Sequence, residues 1–361
     1  MRVIQLVDNI SYGDAIGNHV AALDGVFNAA GIRTELYANR IDKRFPKGTA
    51  KPVRKLKHVK KEDIIIYHMS SGTPLNREWV QWDCYRVMMY HNITPPHFFR
   101  PYSRTFANIL QSGLEDVLWL KDYVHECWVS SKYNRQDLLN LGYSDQQIRM
   151  MPGYLIPFED YISAGQSVTN HLFDDGRTNV LFVGRLAPNK KQEDVIRSFA
   201  FYKERYDLQA RLILIGSETL PGYAADLRTY VQNLHLEDVV FLGHVSFQDI
   251  VSCYQTAKVF VCLSEHEGFC IPLVEAMFFH IPVLAFGAGA VEGTLGGGGV
   301  VIDNKNPAFV AKWIDRLVKD DTLRGAVIGN QKRRLLELQN DVVADAFQKR
   351  IKEIERERMS S

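Results

Sequence analysis

The sequence lacks a strong net charge and any apolar run long enough to span a membrane. Its 43 Lys and Arg residues nearly balance 42 Asp and Glu residues, for a formal net charge of +1. That balance argues against a protein that coats nucleic acid through its overall charge. No segment approaches the roughly 20 apolar residues of a membrane-spanning helix, and the first residues resemble a strand without a signal-peptide cleavage pattern. We therefore expect a cytoplasmic protein.

The sequence also lacks the cysteine and nucleotide-binding patterns of several protein classes. Its 5 cysteines are scattered and show no CxxC spacing, which favours reduced thiols over a disulfide scaffold or a zinc site. There is no Walker A string, which argues against an ordinary P-loop ATPase. There is also no Asp-x-Asp pair, a usual motif for binding a metal–diphosphate complex. We expect neither a metal nor a cofactor.

Short apolar runs alternate with amphipathic helical stretches along the whole chain. At roughly 100–200 residues per domain, the 361 residues predict two domains with separate cores. Continuous apolar strands separated by helices indicate parallel sheets with helices on both faces. We therefore predict an α/β protein with two Rossmann-like, doubly wound domains. The expected strands are Val3–Val7, Ile64–His68, Val87–His91, Cys127–Ser130, Val180–Gly184, Leu212–Gly216, Val239–Gly243, Val259–Ser264 and Pro282–Phe286.

The domain boundary is expected where helical periodicity weakens, between Gly153 and Thr178. It divides the chain into an N-terminal domain at 1–160 and a C-terminal domain at 161–335. The remaining segment, 336–361, continues a helical pattern that begins at Asn330. We expect this helix to cross back to the first domain.

A basic segment from Arg40 to Lys61 stands out against the neutral average. One interpretation is a solvated loop without a binding function. The functional interpretation is a surface for anions such as lipid headgroups or a lipid-pyrophosphate acceptor. Nucleic acid is a weaker choice because no aromatic residues are interleaved with the charge. With only Asp42 opposing them, the cations are Arg40, Lys43, Arg44, Lys47, Lys51, Arg54, Lys55, Lys57, Lys60 and Lys61.

The clearest chemical signal is the string SEHEGFCIPLVEAM at 264–277. It follows an apolar strand, and Pro272 suits the first turn of a helix. The turn Gly268–Ile271 is therefore expected to aim backbone amides at an anion, with the helix N-terminus behind them. Glu267 and Glu275 can both face a crevice at the carboxyl ends of parallel strands. The structural alternative is that Glu275 complements the helix dipole and Glu267 is solvated.

The string from Glu267 to Glu275 resembles the E-x7-E signature of retaining GT-B glycosyltransferases of family 4. VGRLAPNK at 183–190 is similar to a strand–loop segment of that family, as are the strands at 213–216, 240–245 and 281–285. The resemblance covers the second half and is looser in the first. It implies the GT-B fold, in which two Rossmann-like domains face each other across a cleft.

The resemblance also implies roles for individual residues. Arg185 and Lys190, which alone would be ordinary surface charges, bind the donor diphosphate and stabilise the departing nucleoside diphosphate. Glu267 contacts hydroxyls of the donor sugar, and Glu275 contacts the ribose. The family usually has glycine after this lysine, where the present chain has Lys191, so the shape of the loop is in question. The other donor-binding residues implied are Gly184, Gly243, His244, Val245, Gly268, Phe269, Cys270 and Ile271.

The first half carries weaker signals. Gly13 and Gly17 lie between the first strand and its helix and would let backbone approach a phosphate, although they lack GxGxxG spacing. The resemblance makes this loop a wall of the donor and acceptor site. His91 ends a predicted strand and matches the family's histidine near the reacting sugar, with His68 a lesser candidate. The catalytic residues assigned in this way are Glu267, His91, Arg185 and Lys190.

These observations predict a metal-independent, retaining glycosyltransferase. It would move a hexose from a nucleotide sugar, of the GDP-mannose or UDP-glucose type, to a glycan or lipid-linked acceptor in cell-envelope polysaccharide synthesis. The expected location is the cytoplasm, with peripheral attachment to the inner face of the membrane through Arg40–Lys61, and no nucleic acid partner. The alternatives are a non-catalytic two-domain module that binds nucleotides or sugars and a GT-B nucleotide-sugar epimerase.

Overall fold

The computed structural model of the protein describes residues 1–11, 14–167 and 173–359. The chain divides into two compact units. Unit 1 contains Met1–Pro96, Thr105–Ile156 and Glu337–Ser361, and unit 2 contains His97–Arg104 and Pro157–Leu336.

The strands and helices alternate through both units. The strands are β1 Val3–Ile10, β2 Thr34–Ile41, β3 Lys51–Pro52, β4 Ile64–Met69, β5 Tyr85–Tyr90, β6 Glu126–Val129, β7 Ile148–Met150, β8 Asn179–Val183, β9 Arg211–Ile215, β10 Val239–Gly243, β11 Ala257–Cys262, β12 Val283–Phe286 and β13 Val300–Ile302. The helices are α1 Ala15–Ala29, α2 Leu75–Glu78, α3 Arg104–Leu120, α4 Lys132–Asn140, α5 Phe158–Ser167, α6 Gln192–Arg205, α7 Pro221–Asn233, α8 Phe247–Thr256, α9 Ile271–Phe278, α10 Val291–Leu295, α11 Pro307–Lys319, α12 Asp321–Glu337 and α13 Asn340–Met359.

Unit 1 is built on a parallel sheet with the strand order β3-β2-β1-β4-β5-β6-β7. Strand β1 lies between β2 and β4 and is buried over most of its length, as expected in a parallel sheet whose two faces are covered by helices. Val3 pairs with Thr34 on one side and Ile64 on the other. Leu23 and Phe27 of α1 cover one part of this core.

Helix α13 completes the core of unit 1. Its apolar side chains recur at intervals of three or four residues, the spacing of one helix face. Arg350 on the same helix forms a buried ion pair with Glu126 of β6, and the Asn340 side chain pairs with both backbone groups of Ile156 at 2.9 and 2.6 Å. The fully buried residues of this face are Val343, Phe347, Ile351 and Ile354.

Unit 2 has a second parallel sheet, ordered β10-β9-β8-β11-β12-β13. Helices α6 and α11 pack against it and bury Val195, Phe199, Val310 and Ile314. Because every strand is parallel, all the carboxyl ends lie at one edge, where the loops to the helices begin. The prediction of two doubly wound α/β domains is therefore confirmed.

A glycine lies at the carboxyl end of each of three neighbouring strands, β8, β9 and β10. Gly184, Gly216 and Gly243 have φ values of +153°, +155° and +66°. The Gly184 amide donates to Ile215 O at 2.8 Å, and the Gly216 amide donates to Gly243 O at 3.0 Å. A Cβ at Gly216 would lie 1.9 Å from the Gly184 carbonyl oxygen. Only glycine therefore fits at Gly216.

The structure differs from the sequence-based expectations in several places. Each of the nine predicted strands is present, with its bounds shifted by at most three residues, whereas β2, β3, β7 and β13 were not predicted. The expected irregular seam contains α5, and the single helix expected from Asn330 to Met359 is wrong because the chain breaks between α12 and α13. Within the described ranges, no helix combines the length and apolarity needed to cross a bilayer.

Candidate functional site

The loop between β11 and α9 has the predicted strand–turn–helix form. Its last residue, Cys270, lies in the left-handed region with φ 74° and ψ 72°, and Pro272 follows in the first helical turn. The Cys270 side chain does not cap the helix, although the Leu273 amide donates to the Cys270 backbone carbonyl at 3.1 Å. Helix N-termini with uncapped amides attract anions.

Glu267 and Lys190 form a close ion pair within this loop region. The Lys190 ammonium nitrogen lies 2.7 Å from each Glu267 carboxylate oxygen, and Glu267 is only 5% exposed. Burial alone would lower the pKa of Lys190, but the Glu267 carboxylate more than offsets that effect and the pKa is raised. Lys190 is therefore a cation that remains charged while largely shielded from water.

Asn189 forms hydrogen bonds that connect the turn containing Lys190 to the loop containing Glu267. Its side-chain amide donates to His266 O at 3.1 Å, and its backbone carbonyl accepts from the Glu265 amide at 2.8 Å. On the other side, a Cβ at Gly289 would lie 2.5 Å from Glu267 O. Sequence analysis missed both residues, because Asn189 was only one letter of the matched string and Gly289 belonged to none of the motifs.

Lys191 occupies the position where the resembling family usually has glycine. Its backbone adopts φ 54° and ψ 44°, the left-handed region that favours glycine. The side chain lies 3.4 Å from Glu193 and 3.5 Å from Glu265. The substitution therefore leaves the turn in a glycine-like conformation and adds a paired cation beside Lys190.

Glu275 is bound by two tyrosine hydroxyls. Tyr161 of α5 donates to one carboxylate oxygen at 2.5 Å, and Tyr254 of α8 donates to the other at 2.6 Å. Burial raises the pKa of Glu275, and the two hydroxyl donors partly oppose that shift. Glu275 thus does more than complement the helix dipole. Sequence analysis missed both tyrosines, because they are distant from Glu275 along the chain.

The remaining donor-site residues share the carboxyl edge of the unit 2 sheet. Gly184 and Arg185 follow β8, and Gly243, His244 and Val245 lie at the end of β10. The Arg185 side chain is exposed, and among the described residues it forms no ion pair. Lys190 and Glu267 are in direct contact. The residues that follow β8 and β10 have in common with them only a position at the carboxyl edge of the sheet.

The first-half residues have mainly structural contacts within unit 1. Gly13 lies outside the described residues. Gly17 is buried in the first turn of α1, where its amide donates to Asp14 Oδ2 at 3.3 Å. A Cβ at Gly17 would lie 2.5 Å from Ser11 O, so close backbone packing already requires glycine there.

His91 is buried, with both ring nitrogens engaged. Its Nε2 lies 2.9 Å from His68 Nδ1, and its Nδ1 lies 2.7 Å from the Tyr154 hydroxyl. Because His68 Nε2 faces the acceptor Gln5 Oε1 at 3.2 Å, neutral rings require His91 Nε2 to donate and Nδ1 to accept. Burial, together with His19, holds the pKa of His91 well below its usual value. A sugar hydroxyl would have to displace one of these partners.

The basic segment is more structured and more neutralised than the sequence indicated. Arg40 lies in β2 and Lys51 in β3, rather than in one continuous loop. The expectation that only Asp42 opposes the cations is wrong, because Asp8, Glu35 and Glu62 also pair with them. Within the described part of the chain, the exposed cations without an ion pair are Lys43, Lys47, Arg54, Lys55, Lys57 and Lys61.

The fold defines a class of two-domain parallel α/β proteins, and the Lys190–Glu267 pair lies at the carboxyl edge of the second sheet. The structure is similar to that of HepE from Anabaena in complex with UDP-glucose, with a TM-score of 0.75 and 18% identity, covering 98% of this chain and 100% of that chain. The protein therefore has the GT-B fold.

Residues 166–334 match the family described as glycosyl transferases group 1. An uncharacterized glycosyltransferase of Methanocaldococcus jannaschii is 32% identical over 165 residues, 45% of this chain and 41% of that protein. A GDP-mannose:cellobiosyl-diphosphopolyprenol alpha-mannosyltransferase of Xanthomonas campestris is 40% identical over 112 residues, 30% of this chain and 29% of that protein. The matches span less than half the length of these two relatives. Together, these comparisons show the GT-B fold and, over residues 166–334, similarity to glycosyl transferases group 1.

Proposed function

We propose that the protein transfers a hexose from a nucleotide sugar to a glycan or lipid-linked acceptor, with retention of the anomeric configuration. The observation that carries this proposal is the Lys190–Glu267 pair, with 2.7 Å contacts, beside the uncapped N-terminus of α9. A largely shielded cation next to a helix N-terminus suits a diphosphate, and the adjacent carboxylate suits sugar hydroxyls.

The reaction separates the anomeric carbon from a phosphate oxygen, and the nucleoside diphosphate leaves with an added negative charge. Lys190, Arg185 and the N-terminus of α9 stabilise that charge as it develops. The acceptor oxygen bonds to the anomeric carbon on the same face, and its proton passes to the departing phosphate oxygen. No metal is required, because the cations and the amides supply the positive charge.

Glu267 and Glu275 bind the two ends of the donor. Lys190 carries three N–H donors, of which Glu267 takes two, so the ammonium can also contact a phosphate oxygen. Glu275 accepts the ribose hydroxyls while Tyr161 and Tyr254 hold its carboxylate in place. The roles assigned to Gly17 and His91 stay predictions.

Substitutions in unit 2 test this assignment. Glu275→Ala and Arg185→Ala are each expected to lower transfer at least tenfold while the fold survives. Glu204→Ala and Arg205→Ala are matched controls, because both residues are exposed at the far end of α6. Unchanged transfer in both site variants would contradict the site assignment.

The donor is identified by thermal stabilisation with a panel of nucleotide sugars, since a ligand at 100 times its Kd adds about 2.7 kcal/mol to stability. We favour GDP-mannose and UDP-glucose because they are named with the Xanthomonas relative and the Anabaena structure. Release of nucleoside diphosphate with a glycosylated acceptor supports transfer. A bound donor that is never consumed indicates a binding module, and an epimerised nucleotide sugar indicates an epimerase.

We further propose that the unpaired cations of the basic segment contact an anionic membrane surface. Clustered exposed lysines gain roughly 1 kcal/mol each near anionic lipids, and this attraction is screened by salt. Reversing the charge of Lys55, Lys57 and Lys61 should weaken sedimentation with anionic vesicles. The control variant reverses three exposed lysines of unit 2, namely Lys258, Lys312 and Lys332. Equal binding to neutral and anionic vesicles would contradict the proposal.

A further inference from the structure

Two cysteines and a glutamate converge within the same loop. Cys262 ends β11, Cys270 precedes α9, and one ligand atom from each, together with a Glu267 carboxylate oxygen, lies within 4.8 Å of the others. Seven residues separate the two cysteines, a spacing that is not a metal motif, but the loop folds back and brings the thiols together. We propose that Cys262, Cys270 and Glu267 bind a thiophilic divalent cation such as Zn²⁺, and that this ion inhibits donor binding.

The donor set fits Zn²⁺ in number and in distance. Zinc binds thiolates at about 2.3 Å and carboxylates at about 2.0–2.2 Å, so ligand atoms around one ion lie roughly 3.5–4 Å apart in a tetrahedron. The observed separations of up to 4.8 Å therefore require only small movements. Three protein ligands leave the fourth position for water.

The charges of the cluster also balance. Two thiolates and one carboxylate carry three negative charges, and Zn²⁺ together with the Lys190 ammonium carries three positive charges. Such neutrality is important because an uncompensated buried charge is strongly destabilising. The Ser264 hydroxyl, 3.4 Å from Cys262 Sγ, can donate to the thiolate and orient it.

The surroundings determine which ions can bind. Cys262 is buried, but Cys270 is half-buried and the Lys190 side chain is 15% exposed, so an ion can reach the cluster from the Cys270 side. Sulfur donors select zinc and cadmium, whereas magnesium and calcium prefer oxygen ligands. A magnesium-dependent activity is therefore not expected from this cluster.

The inhibitory part of the inference rests on the proposed function. A bound ion takes a Glu267 carboxylate oxygen that would accept a sugar hydroxyl and fixes Cys270, which precedes α9. The ion and the donor should therefore weaken each other's binding by the same factor. A chelator is expected to raise or leave unchanged the transfer activity rather than abolish it.

Cadmium titration of the full chain tests the site directly. Cd²⁺ should produce a thiolate charge-transfer absorption that saturates at one ion per chain, and Zn²⁺ should displace it. Cys262→Ser should weaken Cd²⁺ binding at least tenfold, and Cys270→Ser provides a second variant if the first does not fold. Cys253→Ser is the matched control, since Cys253 is equally buried but lies outside the cluster.

The outcomes separate the metal site from the proposed function. The absorption is measured without any donor, so its absence, or its persistence in both cluster variants, overturns the metal site whether or not the protein transfers sugar. Thermal stabilisation by the identified nucleotide sugar is then measured with and without saturating Zn²⁺. A loss of that stabilisation supports inhibition, and an unchanged stabilisation overturns it.

Discussion

Several residues of the candidate site hold conformations or charges that are unfavourable for stability. Lys191 and Cys270 have positive φ values of 54° and 74°, and Glu275 keeps a carboxylate half-buried between two tyrosines. Such features persist only where the surrounding structure enforces them, and they collect at functional sites. At the scale of single residues, their energetic effects can be measured separately.

Replacing Lys191 with glycine should stabilise the protein. Glycine adopts the left-handed conformation without the steric penalty of a Cβ, a gain of about 1 kcal/mol, while the partly exposed ion pairs that are lost contribute little. The measurement is the free energy of unfolding in denaturant. Lys191→Ala is the control, because it loses the same ion pairs and keeps the strain. Equal stability of the two variants would contradict this account.

Glu275→Gln should change how stability depends on pH. Because burial raises the pKa of Glu275 above its ordinary value of 4.5, the folded state binds more protons than the unfolded state above that pH. Wild-type stability therefore falls as pH rises from about 4.5 to the folded-state pKa. Glutamine does not ionise, so the variant should gain stability relative to wild type across that window while losing stabilisation by nucleotide.

Unfolding free energies between pH 4 and 8 provide the measurement. Glu204→Gln, at an exposed position on α6, is the control for replacing a glutamate that is not buried. A difference between Glu275→Gln and wild type that is constant with pH would show that the Glu275 carboxyl is not destabilised by burial.

At the scale of elements, the glycines at the carboxyl edge of the second sheet allow the backbones that follow neighbouring strands to approach each other closely. Gly216→Ala would place a Cβ 1.9 Å from a backbone carbonyl at φ +155°, so we expect a loss of roughly 2–4 kcal/mol. Gly325→Ala is the control, because Gly325 is within α12 and its Cβ would meet nothing within 4 Å. That variant should gain about 0.5–1 kcal/mol. Thermal unfolding of the two variants measures these opposite changes in stability.

The sequence predicted the strands that carry a marked apolar run. β4 and β9 are buried at every position, and such strands are continuous apolar runs. β2 was not predicted because it is half-exposed and includes Glu35, Asn39 and Arg40. β13 was missed because it is only three residues long and follows a run of glycines.

The candidate site was predictable only where its residues are close in sequence. The turn before α9 follows from local signals, namely the apolar strand, Gly268 and Pro272. The tyrosines that hold Glu275 lie 114 and 21 residues away from it along the chain, and no periodic pattern marks them. Contacts between distant segments depend on packing of the complete unit, which a single sequence does not specify.

At the scale of the whole molecule, unit 1 is discontinuous in sequence. Its core includes Phe347 and Ile351 of α13 in addition to residues before Ile156. A fragment of residues 1–156 should therefore lack a cooperative unfolding transition, because burying each missing large apolar side chain contributes about 1.5–3 kcal/mol.

Adding a peptide of residues 337–359 should restore that transition, monitored by circular dichroism. The control peptide carries Phe347→Ser, which should bind much more weakly because Phe347 is completely buried. A fragment of 1–156 that unfolds cooperatively without the peptide would contradict this role of α13.

The same discontinuity sets the order in which the protein can mature on the ribosome. Residues 157–336 are synthesised before the segment 337–361 that completes unit 1. At about 5–20 residues per second, the early strands wait on the order of 10–40 s for their last helix. Throughout that interval the apolar face that receives α13 is exposed in the nascent chain. The strands of unit 1 are therefore made before unit 2 but complete their core after it. During this interval, a chaperone that binds exposed apolar surface could bind the incomplete unit 1.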